Sequence, residues 1–249
     1  MLPRSGRPRP ELPLIQLVPN LLTLAAICAG LTALRMAFMG NFELAVTLIV
    51  VAAGIDGIDG RIARMLGSES EIGAELDSLA DFLNFGVVPG LIFYLWALQD
   101  LRGFGWLAAL IYAVCCVLRL ARFNVGMKSE STSAPKDFFV GVPAPAGALL
   151  AFLPLFASFT LPRMPLLPDM ANGLYLVAVG ALMISRIPTW SFKNTTIYAE
   201  NARFVLLGVI SGLAALVTFP WETLMLADLL YLGGIVLAWR SKRRAVEED

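Results

Sequence analysis

Apolar residues occur along the chain in a series of long runs, separated by short segments rich in glycine, proline and charged residues. Each run approaches the roughly 20 residues that an α-helix needs to cross the apolar core of a bilayer. Because a backbone inside lipid must satisfy its own hydrogen bonds, helices are the expected structure. The pattern predicts about eight helices, near 19–38, 42–66, 72–98, 104–126, 142–160, 172–188, 203–219 and 222–240.

This pattern predicts an all-α integral membrane protein, a bundle of about eight transmembrane helices. The sequence contains no internal repeat and no low-complexity linker, so we expect a single membrane domain at 19–240. Residues 1–18 are expected to form a cytoplasmic N-terminal tail, and residues 241–249 a charged cytoplasmic tail.

The composition agrees with a membrane protein and excludes several kinds of chemistry. Hydrophobic residues make up 58% of the chain and charged residues 15%, and the mean hydropathy is +0.74. The formal net charge is zero, so no overall field favours nucleic acid as a partner. The chain contains no histidine, which excludes His-ligated zinc, histidine general bases and histidine-based triads.

The distribution of basic residues predicts the orientation. If the N-terminus is cytoplasmic and eight helices span, most arginines and lysines fall on the cytoplasmic side, and only Arg35, Arg102 and Arg163 fall outside. Such a bias is typical of membrane proteins. We therefore expect a multi-pass protein of the cytoplasmic (inner) membrane with both termini cytoplasmic.

Four aspartates are the main polar feature of this apolar chain: Asp56, Asp59, Asp77 and Asp81. On helices, the first two are i,i+3 neighbours and the last two are i,i+4 neighbours, so each pair projects from one face. Carboxylates near lipid are costly, and four that converge need cations. All-oxygen sites suit Mg²⁺, Mn²⁺ or Ca²⁺ rather than Zn²⁺. We expect this site at the cytoplasmic ends of helices 2 and 3.

The aspartates belong to a longer motif, Asp56-x2-Asp59-Gly60-x2-Ala63-Arg64-x8-Gly73-x3-Asp77-x3-Asp81. This motif resembles the signature of the CDP-alcohol phosphatidyltransferase family at every fixed position. The resemblance implies that the four aspartates hold two divalent cations (Mg²⁺ or Mn²⁺, with Ca²⁺ as another occupant) that bind the diphosphate of a CDP-lipid. Asp81 would also be the general base for the acceptor hydroxyl.

The same resemblance implies a set of residues that contact the CDP-lipid. These are Asn20, Thr23, Gly60, Ala63, Arg64, Ser70 and Gly73. Five of them also have a simpler structural explanation. The glycines are typical of helix packing, Asn20 and Thr23 of a helix N-terminus, and Ser70 of a loop.

Two further segments resemble the branch of the family that joins CDP-diacylglycerol to L-serine. They are Leu118-Arg119-Leu120-Ala121-Arg122-Phe123-Asn124 and Phe138-Phe139-Val140-Gly141-Val142-Pro143-Ala144-Pro145-Ala146. Arg119 and Arg122 are candidate ligands for a carboxylate or phosphate, although cytoplasmic arginines also follow from topology alone. Asn84, where the branch commonly has a small hydroxyl residue, is a third candidate for acceptor recognition.

The resemblance predicts an enzyme that makes phosphatidylserine and CMP from CDP-diacylglycerol and L-serine, in contact with membrane lipids and as a homodimer. One alternative is the same reaction with another acceptor, such as glycerol 3-phosphate or inositol phosphate. An alternative from another class is a cation transporter whose pathway uses the four aspartates.

Overall fold

The computed structural model describes residues 17–68, 70–128, 138–161, 167–185, 188–190 and 202–247 of the protein. Helices make up nearly all of this part. They are α1 (Val18–Phe38), α2 (Phe42–Leu66), α3 (Glu71–Asp81), α4 (Val88–Phe93), α5 (Arg102–Lys128), α6 (Ala144–Thr160), α7 (Asp169–Ile184), α8 (Ala202–Thr218) and α9 (Pro220–Glu247). Each of the eight predicted helices falls on one helical segment, since α3 and α4 belong to one continuous segment, Glu71–Leu101.

Two short connections join α1, α2 and α3, and α1 packs along α2 and also against α3. Gly40, with φ of 77°, ends the turn after α1, and the side chain of Asn41 caps α2 by accepting from the Leu44 N–H at 3.1 Å. Gly67, with φ of 58°, ends α2 in the left-handed conformation that glycine adopts without strain. Ser70 then caps α3, because its Oγ accepts from the Gly73 N–H at 3.0 Å.

The segment after Asp81 departs from regular α-helix. Phe82–Val87 forms a π-helical turn, Tyr94–Leu98 forms a second one, and a 3-10 turn closes the segment at Gln99–Leu101. The buried Tyr112 hydroxyl of α5 donates to the Phe85 carbonyl at 2.7 Å, which satisfies a backbone group inside the first π turn. Single π turns of this kind are frequent at functional sites.

Helix pairs pack around one apolar core. Helix α1 lies along α2, α5 along α7, and α6 along α9. Fully buried aromatic side chains fill the centre, among them Phe85, Phe93, Tyr112, Phe152 and Phe156. Small residues allow close approach of the helices, as at Gly147, where a Cβ would overlap with Met183.

Two three-residue strands lie beside this helical architecture. Phe138–Val140 (β1) pairs antiparallel with Pro188–Trp190 (β2), with Phe139 opposite Thr189. The apolar pattern does not predict them, and it places the end of the sixth helix too late, at 188. Helix α7 ends at Ile184 instead, and Ser185 is extended. Pro188 belongs to β2, and proline has no N–H for the hydrogen bond that an α-helix would need at this position.

Four of the described helices are long and apolar enough to cross a membrane. They are Val18–Phe38, Glu71–Leu101, Gly103–Val125 and Pro220–Ala238, and three shorter helices, Ala144–Thr160, Asp169–Ile184 and Arg203–Thr218, are also apolar. Much of the outer surface is hydrophobic, as on α8, where Phe204, Leu206 and Val217 are exposed. An apolar surface of this extent is that of a membrane protein.

Candidate active site

The four aspartates of the motif converge where the second half of α2 faces α3. One carboxylate oxygen from each of Asp56, Asp59 and Asp77 lies within 4.8 Å of the others. The carboxylate of Asp81, one turn beyond Asp77, contacts that of Asp56. Only four residues separate the end of α2 at Leu66 from the start of α3 at Glu71, so the two pairs are carried by helices that follow each other directly.

The environment of these carboxylates leaves buried oxygen atoms without partners. Asp59 is 2% exposed; its Oδ2 accepts from the Thr23 hydroxyl at 2.9 Å, but its Oδ1 has no hydrogen-bond partner. The Oδ1 of Asp81 is also buried without a partner. Like charges this close repel one another, and buried acceptors without donors are unfavourable.

This donor set fits a divalent cation. It consists of carboxylate oxygens alone, within one ligand sphere of each other, and two of the buried oxygens lack any protein donor. Hard cations such as Mg²⁺, Mn²⁺ and Ca²⁺ prefer such ligands. The Thr23 hydroxyl would orient Asp59 as a hydrogen-bond donor behind the ligand, a role that outer partners of metal sites commonly have.

A pocket of about 460 Å³ opens beside the cluster, between the start of α1, the end of α2 and the start of α3. Its lining residues are Pro19, Asn20, Thr23, Asp59, Gly60, Ala63, Arg64, Ser68, Ser70, Gly73, Ala74 and Asp77. All seven residues predicted to contact the CDP-lipid are in this set, so the structure brings them together around one space next to the carboxylates. Their roles in binding stay predictions.

The two glycines of the motif differ in what surrounds them. A Cβ on Gly73 would lie 3.0 Å from both Asn20 Oδ1 and Ser70 Oγ, so this glycine allows the first turn of α3 to approach α1 closely. A Cβ on Gly60 would meet no atom within 4 Å. Protein packing therefore accounts for Gly73, whereas Gly60 leaves space that belongs to the pocket.

Two polar residues of the pocket also have local roles. Ser70 caps α3, as described above. Arg64 is exposed, and its Nε donates to the carbonyl of Gly60 one turn earlier at 3.1 Å, which holds the side chain along the wall of the pocket. The remaining guanidinium donors of an arginine can form paired bonds with phosphate oxygens.

The three candidates for acceptor recognition lie in different places. Arg119 on α5 interacts electrostatically with Asp81. Arg122 donates from Nη1 to the carbonyl of Ile184 at 3.0 Å, at the end of α7. Asn84 is 1% exposed and lies against Gly30 of α1, where a Cβ would overlap with its Oδ1. Only Arg119 of these three is placed beside the carboxylate cluster.

Two polar residues of α9, the buried Asp228 and the partly buried Tyr231, were not predicted from the sequence. Asp228 is 5% exposed, and Tyr231 interacts electrostatically with Arg119. The signal available in the sequence was a lone acid inside an apolar run with a tyrosine three residues later. A second missed contact joins α5 to α3, where Asn124 Nδ2 donates to Ser78 Oγ at 3.0 Å.

Comparison with known proteins agrees with the motif. The sequence profile of the family described as CDP-alcohol phosphatidyltransferase matches residues 16–185, which contain α1 to α7, the four aspartates and the pocket. The chain belongs to this family.

Individual relatives extend the similarity beyond the profile. A CDP-diacylglycerol–serine O-phosphatidyltransferase of Mycobacterium leprae is 37% identical over 241 residues, covering 96% of this chain and 80% of the relative. One of Helicobacter pylori is 33% identical, covering 90% of this chain and 92% of the relative. One of Bacillus subtilis is 37% identical, covering 74% of this chain and 94% of the relative.

Proposed function

We propose that this protein transfers the phosphatidyl group of CDP-diacylglycerol to the hydroxyl of L-serine and releases phosphatidylserine and CMP. The observation that carries the proposal is the convergence of four motif carboxylates beside one pocket, which all seven expected CDP-lipid contacts line. The three relatives described above carry the name of this activity, and they supply the choice of serine.

The four aspartates would hold two divalent cations, Mg²⁺ or Mn²⁺. Bound there, such cations neutralise phosphate oxygens and stabilise the charge that develops on the departing phosphate. The protein itself positions the carboxylates and the diphosphate of the substrate. Helices α2 and α3 fix the carboxylates, Thr23 orients Asp59, and Arg64 and the open space at Gly60 accept the diphosphate of the CDP-lipid.

Asp81 is the residue best placed to act as general base. It is outside the set that lines the pocket, it contacts Asp56, and its buried Oδ1 lacks a partner. In the proposed step Asp81 takes the proton of the acceptor hydroxyl as that oxygen bonds to the lipid-side phosphorus. The bond from this phosphorus to the bridging oxygen breaks, and CMP leaves with the electron pair.

Arg119 is proposed to bind the acceptor. It lies beside Asp81 and offers a planar set of donors that matches a carboxylate. The contacts of Asn84 with Gly30 and of Arg122 with Ile184 give these two residues structural tasks, so we propose no direct contact between them and the acceptor.

The membrane arrangement proposed with this function has eight spans, both termini in the cytoplasm and the active site on the cytoplasmic face of the inner membrane. It rests on the side bias of the basic residues and on the apolar helices. A homodimer is proposed from the family resemblance alone.

One experiment tests the reaction and the acceptor together. Purified protein in detergent receives CDP-diacylglycerol and Mn²⁺ or Mg²⁺, and CMP release is measured with L-serine, glycerol 3-phosphate, inositol phosphate or no acceptor. We expect release that requires both serine and metal. Release with a phosphorylated acceptor instead would contradict the choice of serine but keep the transfer. Metal flux into proteoliposomes without any CMP release would favour the transporter.

A further inference from the structure

One face of α9 carries two polar side chains inside the bundle. Asp228 is 5% exposed and its Oδ2 has no hydrogen-bond partner; the hydroxyl of Tyr231 is also buried without a partner. Residues three apart on a helix lie on the same face. Buried polar atoms are almost always hydrogen-bonded in native structures, so this face requires an explanation other than packing.

Tyr231 is connected to the carboxylate cluster through Arg119. The guanidinium of Arg119 interacts electrostatically with Asp81 on α3 and with Tyr231 on α9. Tyr231 and Arg119 are thus within electrostatic range of each other, but they are not hydrogen-bonded, because the buried tyrosine hydroxyl has no partner. A small group with two acceptor atoms, placed next to both side chains, would satisfy the hydroxyl and the guanidinium together.

We propose that Tyr231 is an acceptor-binding residue, whose hydroxyl donates to the carboxylate of the amino-acid acceptor beside Arg119. This proposal rests on the proposed function and adds a residue to it. Tyr231 lies outside residues 16–185, the part that matches the family profile. It is thus expected to affect which acceptor is used, while the motif residues carry the transfer itself.

Arg119 connects this place to the proposed base, since its guanidinium also interacts electrostatically with Asp81. A carboxylate held by Tyr231 and Arg119 leaves the acceptor hydroxyl free to meet Asp81.

The test is Tyr231→Phe, which removes one oxygen atom and keeps the ring. We expect the KM for serine to rise about tenfold, equivalent to about 1.4 kcal/mol, with the KM for CDP-diacylglycerol unchanged. Tyr175→Phe is the matched control. Tyr175 is a neighbouring tyrosine whose hydroxyl already donates to the Leu150 carbonyl at 2.5 Å, and its loss should leave the KM for serine unchanged.

A second acceptor separates binding from a structural role. Ethanolamine keeps the hydroxyl and ammonium groups of serine but has no group in place of its carboxylate. For ethanolamine, Tyr231→Phe and wild type should have equal kcat/KM, whereas for serine they should differ about tenfold. Equal losses with both acceptors would show that the hydroxyl only supports local structure, which overturns the proposal.

Measurements on the wild-type protein show whether the proposed function is wrong or only the assignment of Tyr231. CMP release that does not depend on serine contradicts the proposed function, and with it the assignment of Tyr231. Serine-dependent release by wild type, with an unchanged KM for serine in Tyr231→Phe, contradicts the assignment of Tyr231 alone.

Discussion

The two sides of Asp81 are constructed differently. Within the described part of the chain, the pocket on one side is lined by residues from Pro19 to Asp77, which come from three consecutive helices and the short connection after α2. On the other side, Arg119 comes from α5 and Tyr231 from α9, far apart in the sequence. The side proposed for the CDP-lipid is thus a local unit, whereas the side proposed for the acceptor depends on packing of the whole bundle. Substitutions on the acceptor side can then change which acceptor is used without altering the three helices that form the pocket and hold the aspartates.

The largest effect on kcat is expected for Asp81, which lies between the two sides. Asp81→Asn keeps the size of the side chain but removes the proposed base, so kcat should fall about 10²- to 10⁴-fold. CMP release at saturating serine and metal measures this loss, and elution as a homogeneous species in detergent checks the fold. A variant that retains normal turnover would show that another group takes the proton.

The acceptor side can be tested by comparing its two arginines. Arg119→Gln should raise the KM for serine roughly 10- to 100-fold, since hydrogen bonds to charged groups contribute about 1.5–3 kcal/mol. Arg122→Gln loses its bond to the Ile184 carbonyl and should lower the thermal stability in detergent while leaving that KM unchanged. Serine titrations and thermal unfolding of both variants measure the difference. Equal changes in the KM for serine would remove the distinction between the two residues.

On the pocket side, the hydroxyl that supports Asp59 offers a third test. Thr23→Val removes the bond of 2.9 Å to Asp59 and should raise the metal concentration for half-maximal activity about 10- to 100-fold. Thr32→Val is its control on the same helix, because the Thr32 hydroxyl donates to the Cys28 carbonyl at 2.7 Å and is exposed. The measurement is activity against Mn²⁺ or Mg²⁺ concentration. The same shift in both variants would mean that α1 acts only as a scaffold.

The smallest effect is expected at Gly60. Because a Cβ there meets no protein atom, Gly60→Ala should raise the KM for CDP-diacylglycerol several-fold, while the helix gains about 0.5–1 kcal/mol of stability. Gly57→Ala, on the same helix and outside the pocket, should give the stability gain alone. Lipid titrations and thermal unfolding check the pair. An unchanged KM in Gly60→Ala would show that the space at this glycine is not used by the substrate.

Most of the helical architecture could be predicted from the sequence because apolar run length and glycine or proline breaks are local signals. Helix α2 begins and ends at the predicted residues, where Asn41 and Gly67 supply the cap and the left-handed turn. The π turn at Phe82–Val87 could not be predicted, since it depends on Tyr112 from another helix. The strand pair β1–β2 is too short to carry a periodic pattern and joins segments far apart in the chain.

For the site, the prediction was strongest where the motif is dense. Spacing put each pair of aspartates on one face of a helix, and the structure brings oxygens of Asp56, Asp59 and Asp77 within 4.8 Å of one another. Asn84 shows the limit, since only tertiary packing reveals that it is buried against Gly30. Tyr231 was missed for the same reason. A tyrosine in an apolar helix carries no signal of its own until the structure puts an arginine beside it.

The π turn after Asp81 has a consequence for insertions and deletions. An α-helix advances about 100° per residue, so the wider turn offsets every side chain after it relative to those before it. This offset allows Asp77 and Asp81 to face the carboxylates of α2 while Ile92 and Phe93 enter the core. Removing one residue between Phe82 and Val87 would return this segment to regular α-helix. Either the two aspartates would then turn away from the carboxylate cluster, or the apolar side chains after the turn would leave the core. Length within this short stretch is therefore under tighter constraint than the identity of most of its side chains.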